Sequence, residues 1–253
     1  MSNFDHNYTA RRGFGAERAA EIDAGLRAYM IRIYNYMAAG VALTGVLAYV
    51  TYSQAVVTNA AGQIVGLTSF GHAVYGGPLM ILLFIGTLGM VFFLSFRISH
   101  LQPSTALGLF MVYAGLLGVM LSSIFLTYTG ASITRTFFIS AASFGALSLY
   151  GYTTQRDLSP IGSFLIMGLF GLILAMLVNI FLKSTGLDFA ISAIGVLIFA
   201  GLTAWDTQKI KEMYDVNDDG TIAGRKAVMG ALTLYLDFIN LFLFLLRFMG
   251  DRR

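Results

Sequence analysis

Seven apolar segments, most of them close to the length that crosses a bilayer, dominate the chain and leave little else to fold. They run over Ile33–Tyr52, Pro78–Phe96, Thr105–Leu126, Phe137–Tyr152, Ile161–Leu182, Phe189–Trp205 and Ala227–Met249. About 20 apolar residues cross a hydrocarbon core of about 30 Å. Inside lipid the backbone has only itself to hydrogen-bond to, so such segments form helices. The fourth and sixth are short, and their helices are expected to run on into the polar residues beside them. Composition agrees, with 57% hydrophobic and 11% charged residues, where a soluble domain needs about a quarter charged to cover its surface. The expected fold is an all-α integral membrane protein with seven transmembrane helices over residues 29–253. A polar, partly disordered cytoplasmic tail is expected over residues 1–28.

Charge placement sets the expected orientation. The tail mixes Arg11, Arg12, Arg18 and Arg27 with Asp5, Glu17, Glu21 and Asp23. No apolar core with a small-residue cleavage site follows a short basic stretch, so it does not read as a cleaved signal peptide. The longest connection, Ser53–Gly77, has no Lys or Arg, and the next holds Arg97 and His100. The others hold Arg135, then Arg156, then Lys183, then Lys209, Lys211, Arg225 and Lys226. Seven crossings gather the tail arginines, Arg97, Arg156 and the last four cations on one side, which by the positive-inside rule is the cytoplasm. Arg247, Arg252 and Arg253 then lie outside, so the last helix either crosses against a weak bias or enters and turns back; its length favours crossing. Small residues at packing intervals (Gly115 and Gly118, Ala141 and Gly145, Gly168 and Gly171) read as close helix contacts in lipid.

An ionisable side chain is costly inside lipid and marks a candidate site. Asp237 lies near the middle of the last apolar segment. At 100° per residue Gly230, Thr233, Asp237, Asn240 and Arg247 share a wedge about 100° wide, with leucines and phenylalanines over most of the rest. One polar stripe on an otherwise apolar helix places that helix at the centre of a bundle. The sixth helix offers a partner, since Ser192, Gly195, Phe199, Thr203 and Asp206 also share a face. Counted from the apolar segments, Asp206 and Asp237 differ in depth by about 14 Å, which extension of the sixth helix through Lys209 and Lys211 reduces. Two carboxylates in a low-dielectric site cannot both ionise cheaply, so they share a proton or hold a cation. The pair is therefore a candidate proton sensor and divalent-cation site, with calcium as a suitable hard ion. Arg97 ends the second segment on the same side as Asp206 and is the expected counter-charge, a latch that opens when its carboxylate protonates.

Other chemistry is poorly supported. The absence of cysteine excludes disulfides, thiolate metal sites and Cys nucleophiles. His6, His72 and His100 lie in tail and loops, so neither a Ser–His dyad nor a zinc site emerges. Asp215, Asn217, Asp219 and Gly220 copy the first half of an EF-hand loop, yet Lys226 stands where a bidentate Glu is required. That stretch reads as a turn. A net charge of +3 gives no reason to expect a nucleic-acid partner.

Gly201-Leu-Thr-Ala-Trp-Asp206-Thr-Gln-Lys-Ile and Gly230-Ala-Leu-Thr-Leu-Tyr-Leu-Asp237-Phe-Ile-Asn-Leu-Phe-Leu-Phe-Leu-Leu-Arg247 resemble signatures of the Bax inhibitor-1 family. The resemblance covers residues 28 to 250 or so and leaves out the tail. It implies a seven-helix bundle around the last helix, in a bacterial inner membrane. It implies a pH-sensitive calcium leak in which residues matching Asp206 and Asp237 form the sensor and an arginine matching Arg97 latches it. Bacterial relatives also include a modulator of the membrane protease FtsH, so a regulatory protein that binds a membrane protease is the alternative. The chain departs from some relatives in having no acidic residue in the second segment. No enzyme activity is expected, because the aspartates lack the Gly-x-Gly-Asp context of intramembrane aspartyl proteases. No cofactor is expected, apart from calcium as transported or bound ion, and the expected partners are the lipid bilayer, cations and such a protease.

Overall fold

The computed structural model describes residues 3–60 and 63–253, with the side chains of residues 23–60 and 63–253. Most of the expected tail, up to residue 22, therefore lies outside the described side chains. The fold is all-helical, at 84% helix. Helix α1 (Asn3–Ala55) leads into a two-stranded antiparallel hairpin, β1 (Val56–Thr58) and β2 (Ile64–Leu67). Then come α2 (Ser69–Gly76), α3 (Pro78–Arg97), α4 (Pro103–Leu121), α5 (Ile124–Thr127), α6 (Gly130–Thr153), α7 (Ser159–Leu182), α8 (Thr185–Glu212) and α9 (Gly220–Met249).

Local sequence explains the helix ends. Pro78, Pro103 and Pro160 sit in the first turns of α3, α4 and α7, where a missing N–H costs nothing. Thr129, Ser184 and Asp219 accept hydrogen bonds from the first N–H groups of α6, α8 and α9. The third apolar segment was expected to be one helix to Leu126, but it breaks after Leu121. There the Ser122 and Ser123 hydroxyls donate back to the carbonyls of Val119 and Met120, at 2.5 and 3.1 Å, and a turn separates α4 from α5. The fourth and sixth segments do extend into flanking polar residues, as α6 and α8.

Among the described residues, six helices are long and apolar enough to cross a membrane: residues 23–55 of α1, α3 with its following turn, α4 with α5, α7, α8 and α9. Helix α6, over the fourth expected span, has 24 residues but is too polar to join them by composition. Its Ser132, Thr136, Ser140 and Ser148 are buried, so its polarity faces protein. Burial is uneven. In the most apolar stretch of α9, 72% of residues are buried, against 6% in α7 and 11% in α3. Helix α9 packs on α1, α4, α6 and α8, whereas α7 packs chiefly on α8.

Two glycines allow close approach. A Cβ on Gly118 would stand 2.6 Å from the Thr44 carbonyl oxygen, and one on Gly151 would stand 2.0 Å from that of Ala204. The first was expected from its spacing and joins α4 to α1. The second joins α6 to α8, while Gly145 and Gly171, also expected to pack, have no neighbour within 4 Å.

The connections gather at two ends. At the basic end, Arg225 Nε donates to the Leu101 carbonyl at 2.6 Å, Gln208 Nε2 to that of Arg156 at 2.8 Å, and Lys211 Nζ to that of Tyr152 at 2.9 Å. At the hairpin end, Tyr75 Oη donates to Ser122 Oγ at 2.9 Å, and the last residues lie along the start of α6. There Arg253 N donates to the Thr127 carbonyl, and Arg135 pairs with Asp251 at 3.0 Å. Helix α9 runs unbroken between the two ends.

Candidate functional site

Antiparallel pairing of α8 and α9 brings two deeply placed carboxyl groups together. Their register is fixed by Ile210 against Gly230, by Phe199 stacked on Phe244 with centroids 5.6 Å apart, and by Asp188 beside Arg252 at 3.5 Å. Asp206 and Asp237 fall on the same register. The 14 Å mismatch in depth vanishes because α8 runs on to Glu212 while α9 begins at Gly220, ahead of its apolar segment. The two carboxyl groups face the same cavity from neighbouring turns of the paired helices. Asp206 is 9% exposed and Asp237 5%, and Asp237 Oδ2 has no hydrogen-bond partner. A buried carboxyl oxygen without a partner is costly, so it calls for a proton, a cation or a donor.

Both aspartates line a cavity of about 680 Å³ between α7, α8 and α9. Thr233, Asn240 and Arg247 line it too, so four members of the expected stripe on α9 face one space. Leu169, Leu172, Ile173 and Met176 of α7 supply an apolar wall. Lys209 stands at the basic end with its ammonium 5.1 Å from the centre of the Trp205 ring. Arg247 stands toward the hairpin end, ion-paired with Asp188 of the first turn of α8. Asn240 Nδ2 donates to the Leu236 carbonyl and Thr233 Oγ1 to that of Met229, so these two stripe residues each have a backbone partner on their own helix.

Two expected site residues lie elsewhere. Thr203 is fully buried, donates to the Phe199 carbonyl at 2.7 Å and does not line the cavity. Arg97 is exposed at the end of α3 and forms no ion pair among the described residues. The expected latch to Asp206 is thus not made in this conformation, because α3 packs on α2 and α4 while the acidic cavity is walled by α7, α8 and α9. The cation that acts on Asp206 is Lys209, about one turn further along its own helix.

Sequence reasoning missed Asp188, the anion of the α8–α9 clasp. The register places it opposite Arg252, so a carboxylate in the first turn of the sixth segment was the available signal. It also missed Gln208, whose Oε1 accepts from Leu158 N at 2.8 Å while its Nε2 ties the Arg156 carbonyl. The acidic turn before α9 is a capping structure. Asp219 Oδ1 accepts from the N–H groups of Thr221 and Ile222, and Asp218 pairs with Lys226 at 2.6 Å. The backbone and side-chain N–H groups of Asn217 hold the Asp215 carboxyl below its ordinary range.

Comparison with known proteins fits this architecture. A family model described as "Inhibitor of apoptosis-promoting Bax1" matches residues 26–253. An uncharacterised Rickettsia prowazekii protein, RP147, is 52% identical over 91% of this chain and 92% of its own. The inner membrane protein YbhL of Escherichia coli is 47% identical over 91% and 94%. An uncharacterised protein of Caulobacter vibrioides is 43% identical over the full length of both chains. The chain is an integral membrane protein of the Bax inhibitor-1 family.

Proposed function

We propose that the protein is a pH-sensitive cation leak of a bacterial inner membrane, with calcium as the favoured ion and Asp206 and Asp237 as its sensor. The observation that carries this reading is the carboxyl pair itself, buried between two membrane-crossing helices and facing a cavity with one oxygen unpartnered. On this reading seven helices cross the bilayer, α6 turns its polar face inward, and α9 is the central helix around which the others pack. The basic end is cytoplasmic by the positive-inside rule, and the amino terminus lies on that side.

The gating follows from charge. With both carboxylates ionised the pair attracts a divalent cation and retains it, since hard ions seek carboxylate oxygens. A proton taken up between them weakens that hold. Conduction needs binding strong enough to admit an ion and weak enough to release it, so acid raises flux. The test is divalent-cation flux in liposomes that contain only this protein. Flux that rises from pH 8 to pH 6 supports the leak. Its absence at every pH overturns it and favours the alternative, a regulator that acts by binding a membrane protease.

A further inference from the structure

We propose that the acidic cavity binds an organic cation with an apolar body, a long-chain ammonium, which enters sideways from the bilayer. The proposal rests on reading Asp206 and Asp237 as a cation site and adds a class of ligand to it. Three observations carry it: the size of the cavity, where it opens, and which charges are left unanswered.

Size argues against an inorganic ion as the only occupant. A divalent ion with six waters needs roughly 200 Å³, at about 30 Å³ per water. The cavity holds about 680 Å³, within the range of about 300–1,000 Å³ typical of organic ligand sites. Its walls are mainly leucine, isoleucine, methionine and phenylalanine, which offer nothing to a hydration shell.

The opening faces lipid. Ile166 and Ile173 line the cavity and are 37% and 41% exposed, on a helix whose most apolar stretch is only 6% buried, so the cavity is open along α7. Both lie toward the middle of that helix, at hydrocarbon depth. Helix α7 packs chiefly on α8, so the gap lies between α7 and α9. The two ends of the cavity are occupied by Lys209 with Trp205 and by Arg247. An amphiphile can therefore slide in from the side, where a hydrated ion cannot.

The charge at the centre selects a cation. Asp237 Oδ2 is buried without a partner. Of the two nearby basic groups, Arg247 is paired with Asp188 and Lys209 acts on Asp206, so neither answers Asp237. An ammonium head beside Asp237 would supply the missing donor or counter-charge. Its chain would then lie along Leu169, Ile173 and Met176 toward the gap.

The test is binding of radiolabelled dodecyltrimethylammonium to the full-length protein in nanodiscs, a probe whose charge does not change with pH. We expect saturable binding at one site, weakened at least tenfold in Asp237→Asn and also in Ile173→Trp, which plugs the mouth. Dodecyl sulfate, with the same chain and opposite charge, should not compete. Equal competition by dodecyl sulfate, or full binding in Asp237→Asn, overturns the proposal, because the cavity is then only an apolar slot for lipid tails. Binding without any divalent-cation flux would defeat the leak and leave this inference standing. Acid-dependent flux without saturable binding would do the reverse.

Discussion

Arg247 in the last turn of α9 is ion-paired with Asp188 in the first turn of α8, so the helices that bear the buried aspartates are also clasped at the hairpin end. Arg252 reaches the other oxygen of Asp188 at 3.5 Å. One carboxylate thus answers two arginines, and the chain end beyond α9 is held against the start of α6 by backbone pairing.

Asp188→Asn should loosen this clasp. The side chains of Asp188 and Arg247 are about a quarter to a third exposed, so screening limits the loss to about 1 kcal/mol. That corresponds to a fall of about 2–4 °C in the melting temperature of a chain this size. Thermal unfolding in detergent measures it. In a double-mutant cycle with Arg247→Gln the second change should cost less than the first.

Gly151→Ala should be far more damaging than Gly145→Ala, although the two glycines lie six positions apart on α6. The first would drive a methyl into the Ala204 backbone and force α6 off α8, at about 1–3 kcal/mol. It would also strain the bond between Ser148 Oγ and Thr207 Oγ1, which now measures 2.9 Å. The second meets open space and should fall within about 0.5 kcal/mol of wild type. Yield of folded protein and melting temperature report both.

The contrast also marks what the sequence made legible. Small-residue spacing announced close packing, yet spacing alone cannot tell a face turned to a neighbouring helix from one turned to lipid. The helical period did identify the stripe of Thr233, Asp237, Asn240 and Arg247, because each turn of α9 repeats geometry that composition reveals. Asp206 could be matched to Asp237 for a related reason: antiparallel neighbours joined by a short loop have few possible registers. What stayed hidden depends on contacts between segments distant in sequence. Arg97 was assigned to Asp206 from its side of the membrane, but side says nothing of which helices are neighbours, and α3 lies against α4. Thr203 shared a calculated face with Asp206, yet its hydroxyl turns back onto its own helix. The break at Ser122 was invisible to hydropathy because it arises from hydroxyls competing for backbone carbonyls.

Gln208→Ala should destabilise the basic end. It would leave the buried Leu158 N without its present partner, a loss of about 1–3 kcal/mol, and release the part-buried Arg156 carbonyl. Gln208→Glu keeps one acceptor for Leu158 N and should cost less. Limited proteolysis at the α6–α7 connection would show whether that loop has been released.

Orientation can be read with single cysteines, since the chain has none of its own. Cysteine at Val65, 62% exposed on the hairpin, should react with an impermeant thiol reagent added outside intact cells. Cysteine at Ser2 should react only after permeabilisation. The opposite pattern would invert the assigned topology.

The central claim is that Asp206 and Asp237 together set the passage of cations according to pH. The most direct measurement is calcium flux into liposomes containing either wild-type protein or Asp237→Asn, at pH 8 and at pH 6. We predict that wild-type flux rises several-fold on acidification, and that the variant, inserted to the same extent, shows no difference between the two pH values. A variant with the wild-type pH profile would contradict the account.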